Sequence, residues 1–272
     1  MKSRAETASL LRSPIKADPT LTASSRGRVF AHFWTATGVY AVALGCWLLL
    51  YWGATHMNSA AAQLTMPMVD WSLLNWVAVF IMWAIMMAAM MLPSASPMVL
   101  CFAGLNRSRG ETTRTLVFVA AYLALWLVFS CAATIMQWAL QAMGWLTPMI
   151  VSRSPIFSGA LLLVAGIFQF SRIKLSCLRA CRTPLGFLMS DWRDGLSGAW
   201  RMGMRHGLYC LGCCWALMAL LFVGGAMNLL WIAALSGLVA IEKLAPKGEW
   251  VARLLGSVMI GAGVVRLALV TA

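Results

Sequence analysis

The chain has 272 residues, of which 61% are hydrophobic and only 11% are charged, and its formal net charge is +13. A soluble domain carries roughly 25% charged residues, so this composition excludes a water-soluble globule and makes the lipid bilayer the expected partner. The basic residues stand between apolar runs and form no single stripe. That distribution excludes nucleic acid as the expected partner and is typical of the cytoplasmic loops of membrane proteins.

The chain opens with a polar and basic segment, residues 1–28, that is rich in Ser and Thr. Because it lacks apolar periodicity, we predict a disordered cytoplasmic tail, followed by one integral membrane domain at 29–272. A cleaved signal peptide is the competing interpretation. The charged region is too long for one, and the apolar run that follows is long enough to span a bilayer.

Seven apolar runs follow the tail, and each is predicted to form a helix of the membrane domain. They cover residues 34–54, 73–92, 116–140, 156–170, 207–223, 229–241 and 251–270. The second run is predicted to end at Pro93, with irregular backbone over residues 92–97, because proline removes a helical hydrogen bond and clashes with the preceding turn. The sixth run is short for a full span. Gly224-Gly225 makes a turn before it plausible, although one long tilted helix is the alternative.

The distribution of loop charge predicts the orientation of these helices. With the amino terminus inside, 19 of the 21 Lys and Arg residues fall in four cytoplasmic segments: 1–28, 104–114, 172–205 and 242–253. This asymmetry supports about seven helices, or six if the fifth and sixth are one, with a cytoplasmic amino terminus. The predicted fold class is therefore all-α, a polytopic transmembrane helical bundle. Glu242 and Lys243, which close the sixth run, are expected to be interfacial.

A dense group of sulfur and imidazole side chains lies on the fifth run. Cys210, Cys213 and Cys214 follow an i, i+3, i+4 spacing, which places them on one face of a helix. His206 stands one turn earlier on the same face, and Met218 extends the stripe one turn later. The order along this face is imidazole, three thiols and a thioether, which is a soft set of candidate metal ligands.

A second pair, Cys177 and Cys181, has i, i+4 spacing if its segment is helical. Both groups are expected near the cytoplasmic face, where thiols stay reduced, so structural disulfides are disfavoured. Soft sulfur ligands suit Cu(I), Zn(II) and iron–sulfur clusters. The adjacent Cys213 and Cys214 and the nearby Met residues favour Cu(I), while Zn(II) stays open although its sites usually show two short Cys pairs. Simple packing is the remaining alternative, because Cys behaves as a small apolar residue.

The second run carries a stripe of methionines at Met82, Met86 and Met90. Thioethers bind Cu(I) weakly and exchange it quickly, so the stripe is a candidate path for the ion. The alternative is that Met fills irregular gaps between helices. No nucleophile triad, carboxylate pair or phosphate-binding loop is present, so the chain is not predicted to be an enzyme.

Three stretches of the chain carry a resemblance to a known family. They read WAIMMAAMMLPSASPM (83–98), CLRACRTPLGF (177–187) and HGLYCLGCCWALMALLFVGGAMNLLWIAAL with the EKLAP that follows (206–246). They resemble a bacterial family of predicted metal-binding integral membrane proteins, catalogued as a domain of unknown function, some of whose members are labelled copper chaperones. The resemblance covers roughly residues 30–272 and implies a multi-pass metal-binding protein of the bacterial inner membrane.

Three functional hypotheses follow from these patterns. The first is capture of Cu(I) at the Cys/His cluster and its delivery, from a copper donor to a copper-enzyme client or across the bilayer. The second is a membrane thiol–disulfide oxidoreductase, since paired cysteines at the start of a helix have stabilised thiolates. The third is a non-catalytic scaffold subunit in which Cys and Met only pack.

Overall fold

A computed structural model describes residues 19–67, 70–106 and 112–271, with side chains described from residue 33 to residue 270 within these ranges. Every regular element in this part of the chain is a helix, which confirms the all-α prediction there. In chain order the helices are α1 (Pro19–Thr55), α2 (Ala60–Leu64), α3 (Leu73–Asn106), α4 (Thr112–Ala142), α5 (Pro155–Phe168), α6 (Arg172–Arg182), α7 (Pro184–Asp191), α8 (Gly195–Ala219), α9 (Leu221–Gly224), α10 (Leu229–Leu244) and α11 (Gly248–Thr271).

Five stretches of the described chain are long and apolar enough to cross a membrane. They are Phe33–Thr55, Leu73–Asn106, Thr112–Ala142, Gly195–Gly224 and Gly248–Val270. Helices α5 and α6 form a sixth candidate if they are counted together, although they meet at a bend of 63°. Helix α10 has 16 residues and is therefore about 24 Å long, shorter than a typical hydrocarbon core of about 30 Å. The architecture is compatible with a multi-pass membrane protein, while the count of seven and the orientation stay predictions.

The first helix begins earlier than predicted, and the fifth and sixth predicted helices are separate. Helix α1 begins at Pro19, inside the segment predicted to be a tail, and the earlier part of that segment lies outside the described residues. The fifth and sixth predicted helices are separate, because α8 and the short α9 end before Gly225, whose φ of +92° turns the chain. The alternative of one long tilted helix is therefore wrong.

Helix α3 continues through Pro93 and Pro97, so the prediction that it ends at the first proline is wrong. Each proline lacks an N–H and leaves a carbonyl one turn earlier without its helical donor. The Trp47 indole of α1 donates to the carbonyl of Ala89 at 3.1 Å, and the Ser96 hydroxyl donates to that of Pro93 at 2.8 Å. Side chains thus replace both missing hydrogen bonds, which is how membrane helices tolerate proline.

The segment 172–205, predicted as one cytoplasmic loop, is largely helical. It contains α6, α7 and the first turns of α8, which begins at Gly195 and not near residue 207. The segment of Cys177 and Cys181 is helical in α6, so the condition for their i, i+4 pairing is met.

Helix α8 lies at the centre of the bundle and packs closely against two other helices. A Cβ atom at Gly203 would collide with the carbonyl of Phe118 on α4, and one at Gly212 would lie 2.8 Å from the Cys177 sulfur on α6. Small residues are needed at such positions because they let helix backbones approach one another. This packing carries α6 onto the cysteine-bearing part of α8.

Candidate metal site

The three cysteines of α8 lie deep inside the bundle. Cys210, Cys213 and Cys214 are each 1% exposed, and His206 is 3% exposed. Cys210 follows Gly195, the first residue of the helix, by 15 positions, or about 22 Å along the axis. The expectation that these thiols stand at a helix start is therefore wrong. The main physical argument for an oxidoreductase, which was that a helix start stabilises the thiolate, no longer applies.

Helix α6 adds a fourth thiol to this group. The Cys181 thiol lies within interaction distance of Cys213, and Cys177 packs against α8 at Gly212. The two clusters, which are separate in the sequence, therefore meet across the α6–α8 interface. We call Cys181, Cys210, Cys213 and Cys214 the thiol cluster.

The thiols of α8 are hydrogen-bonded to their own helix. Cys213 Sγ and Cys214 Sγ donate to the Cys210 carbonyl at 3.1 Å and 2.9 Å. Cys214 Sγ also lies 4.0 Å from the Met91 sulfur of α3. Within the described residues, no three His, Cys, Asp or Glu side chains are arranged to hold a metal ion. To bind a shared ion, the thiols must turn away from the Cys210 carbonyl.

Cys210 has two polar neighbours that the sequence pattern did not predict. The Lys243 ammonium of α10 donates to Cys210 Sγ at 2.9 Å and to the Ser94 hydroxyl at 3.2 Å. The Tyr122 hydroxyl of α4 lies 3.1 Å from the same sulfur. Lys243 is 6% exposed, so the expectation that it is interfacial is wrong. The signal for Lys243 was its position next to an apolar run, since a charged residue inside a membrane is often functional.

Glu242, also expected at the interface, is 2% exposed and closes a second buried network. One carboxylate oxygen accepts from Lys174 of α6 at 2.6 Å, and the other accepts from Gln169 at 2.9 Å. The ion pair is buried on both sides. This network fastens the bend between α5 and α6 to α10, and so holds Cys181 in place beside α8.

His206 is surrounded by aromatic rings and lacks hydrogen-bond partners. Its ring centroid lies 5.5 Å from that of Tyr122, 6.1 Å from that of Phe118 and 6.0 Å from that of Phe187. Neither imidazole nitrogen has a partner in the described structure. A buried polar group without a partner costs about 1–3 kcal/mol, and here it stands one turn before Cys210. The imidazole is therefore a free donor next to the thiol cluster.

The predicted methionines are placed unequally with respect to the thiols. Met86, Met90 and Met218 are buried in the core, where they also serve as packing. The thioether that contacts the thiol cluster is Met91, which the predicted stripe did not include. Met82 lies at another position, where it lines a cavity of about 330 Å³ together with Met57, Met66 and Met227.

The donors present match the chemistry of a soft monovalent ion. Thiolate and thioether ligands select Cu(I), and the cluster offers several such sulfurs in an apolar, water-poor interior. In comparison with known proteins, the profile of the copper chaperone family PpoB2 matches residues 80–266, which include the whole thiol cluster. No curated protein and no solved structure shows significant similarity to the chain.

Proposed function

Because the chain belongs to the copper chaperone family PpoB2, we propose that it captures Cu(I) at the thiol cluster and hands it to a client protein in a bacterial inner membrane. Membership of the family confirms the resemblance carried by the sequence motifs and supports a copper-related role. The observation that carries the proposal is the meeting of the two cysteine clusters across the α6–α8 interface, where Cys177 Sγ lies against Gly212.

Capture of the ion uses sulfurs that the fold has already gathered. Cu(I) is the cargo, and it binds two neighbouring sulfurs, that of Cys210 and that of either Cys213 or Cys214, once the latter side chain leaves the Cys210 carbonyl. The two thiol protons that it displaces pass to the solvent or to the ligands that delivered the ion. Cys213 and Cys214 are well placed for this step because their present partner is a backbone carbonyl of the same helix. That carbonyl is already a helix acceptor, so releasing the thiols leaves no buried backbone group without a partner.

His206 and Met91 provide places for the ion beside the cluster. The imidazole has both nitrogens free, and the Met91 thioether touches Cys214. Neutral imidazole and thioether hold Cu(I) less tightly than thiolate, which suits arrival and departure. Met90 and Met86 are buried on the same helix, and the stripe that they form with Met82 is the proposed route to a client.

Copper analysis of the purified full-length protein tests the proposal. We expect detergent-solubilised protein loaded with Cu(I) to retain copper through desalting. A triple variant with Cys210, Cys213 and Cys214 replaced by Ser should lose most of it, because its softest ligands are gone. The matched control replaces the three cysteines outside the two clusters, C46S/C101S/C131S, and should retain wild-type copper. Equal copper in both triple variants would overturn the proposal.

A further inference from the structure

We propose that Lys243 is the fixed positive charge of the copper site and makes the thiol cluster selective for a monovalent over a divalent ion. This inference rests on the proposed function, since it names the property by which that site chooses its metal. Lys243 is buried, and its ammonium group donates to the Cys210 sulfur at 2.9 Å and to the Ser94 hydroxyl at 3.2 Å. The contact comes from α10, a helix that contributes no thiol.

The charges buried around the cluster leave Lys243 without a carboxylate. Glu242, its neighbour in sequence, is already paired with Lys174 and hydrogen-bonded to Gln169. Among the described residues, Lys243 has no carboxylate within ion-pair distance, and the sulfur of Cys210 is the group beside it that can carry negative charge, as a thiolate. A buried cation without an opposite charge is strongly unfavourable. The Cys210 sulfur is therefore the group that neutralises the positive charge of Lys243.

The charge of the bound ion determines whether the metal–thiolate complex neutralises the Lys243 ammonium. A monovalent ion held by two thiolates forms a complex with one net negative charge, which the ammonium cancels. A divalent ion on the same two thiolates is neutral and leaves Lys243 unbalanced, and electrostatic mismatch is costly in an apolar interior. A divalent ion reaches the same net charge only by recruiting and deprotonating a third thiol of the cluster. The arrangement thus favours Cu(I) over Zn(II).

Replacing the charge while keeping a hydrogen-bonding group tests the inference. In full-length detergent-solubilised K243Q, we expect the Cu(I) affinity, measured by competition with a chromogenic Cu(I) chelator, to fall by about tenfold or more, since hydrogen bonds to charged groups contribute about 1.5–3 kcal/mol. The Zn(II) affinity should stay equal or rise, so that the ratio of the two affinities falls. K243R keeps the charge and should keep the wild-type preference. K247Q, at an exposed position in the turn between α10 and α11, is the matched control and should bind both metals as wild type does.

Equal or tighter Cu(I) binding by K243Q would overturn the inference, because the ammonium would then be neutral or repulsive toward the metal. If wild-type protein binds no Cu(I), the proposed function fails. If wild type and K243Q bind Cu(I) equally, only the role of Lys243 fails. The two failures are therefore distinguishable in one experiment.

Stability without metal gives a second test that does not depend on copper. C210S removes the sulfur beside Lys243 and leaves a buried cation, so we expect a lower melting temperature. The double variant C210S/K243Q removes the cation as well and should be more stable than C210S, because removing both members of a buried pair is tolerated better than removing one. A double variant that is no more stable than C210S, or that fails to accumulate, would contradict the pairing.

Discussion

The surroundings of His206 indicate that this residue does more than pack in the core. Three aromatic rings enclose the imidazole and leave both nitrogens without partners. A side chain selected for packing alone would not carry two buried polar atoms at this cost.

We expect H206L to separate stability from copper capture. Removing the two unsatisfied nitrogens should raise the free energy of unfolding by about 1 kcal/mol or more, and with it the melting temperature. Loading with Cu(I) should become slower. Thermal unfolding in detergent and stopped-flow loading with a Cu(I) chelate measure the two effects. H56L, at an exposed position, should change neither. A less stable H206L with unchanged loading would make the imidazole a structural residue.

At the scale of single residues, the sequence correctly predicted the features that depend on local spacing along a helix. Cys210, Cys213 and Cys214 share one buried face because helical periodicity depends only on neighbours along the chain. Lys243 and Tyr122 were missed because they reach Cys210 across 33 and 88 positions of sequence. Such contacts depend on how helices pack, and no single-segment pattern contains that information.

At the scale of elements, α3 shows why a proline rule fails inside a bundle. The rule considers the hydrogen bond that Pro93 removes, but not a donor supplied by another helix. Here the Trp47 indole of α1 reaches the carbonyl of Ala89, and the helix continues. The sequence predicted the start of α3 correctly, whereas its end depended on an interaction with α1.

We expect W47F to weaken the bundle at this point. The variant leaves the Ala89 carbonyl without a donor in an apolar environment, and the free energy of unfolding should fall by about 1–3 kcal/mol. Titration with a denaturing detergent, followed by circular dichroism, measures the loss. W52F, on the same helix with its side chain 47% exposed, is the control and should unfold nearly as wild type does. Equal midpoints for the two variants would show that the Trp47 hydrogen bond is dispensable.

At the scale of the whole molecule, the low charge content and the long apolar runs together predicted an all-helical membrane protein. The convergence of α6 and α8 could not be predicted, since the segment between the two cysteine clusters was interpreted as a loop. The buried pair of Lys174 and Glu242 holds these distant parts together.

We expect E242Q to destabilise the whole bundle by about 3–5 kcal/mol, because it leaves Lys174 buried without its counter-ion. The double variant K174M/E242L, which removes both charges, should recover most of that loss. The control is E249Q, which breaks the exposed ion pair with Arg179 and should have little effect, since surface pairs contribute little. Denaturing-detergent midpoints measure all three. An E242Q midpoint as high as that of E249Q would show that the buried pair does not secure the fold.

The same pair has a consequence for biogenesis. Lys174 is synthesised 68 residues before Glu242, an interval of several seconds at about 5–20 residues per second. Throughout that time the emerging chain holds an ammonium group that belongs in the interior but has no carboxylate to meet. We therefore expect α6 to remain at the membrane surface and to pack against α10 only after α10 has left the ribosome. Assembly of the copper-binding interior then becomes one of the last events in the making of the protein.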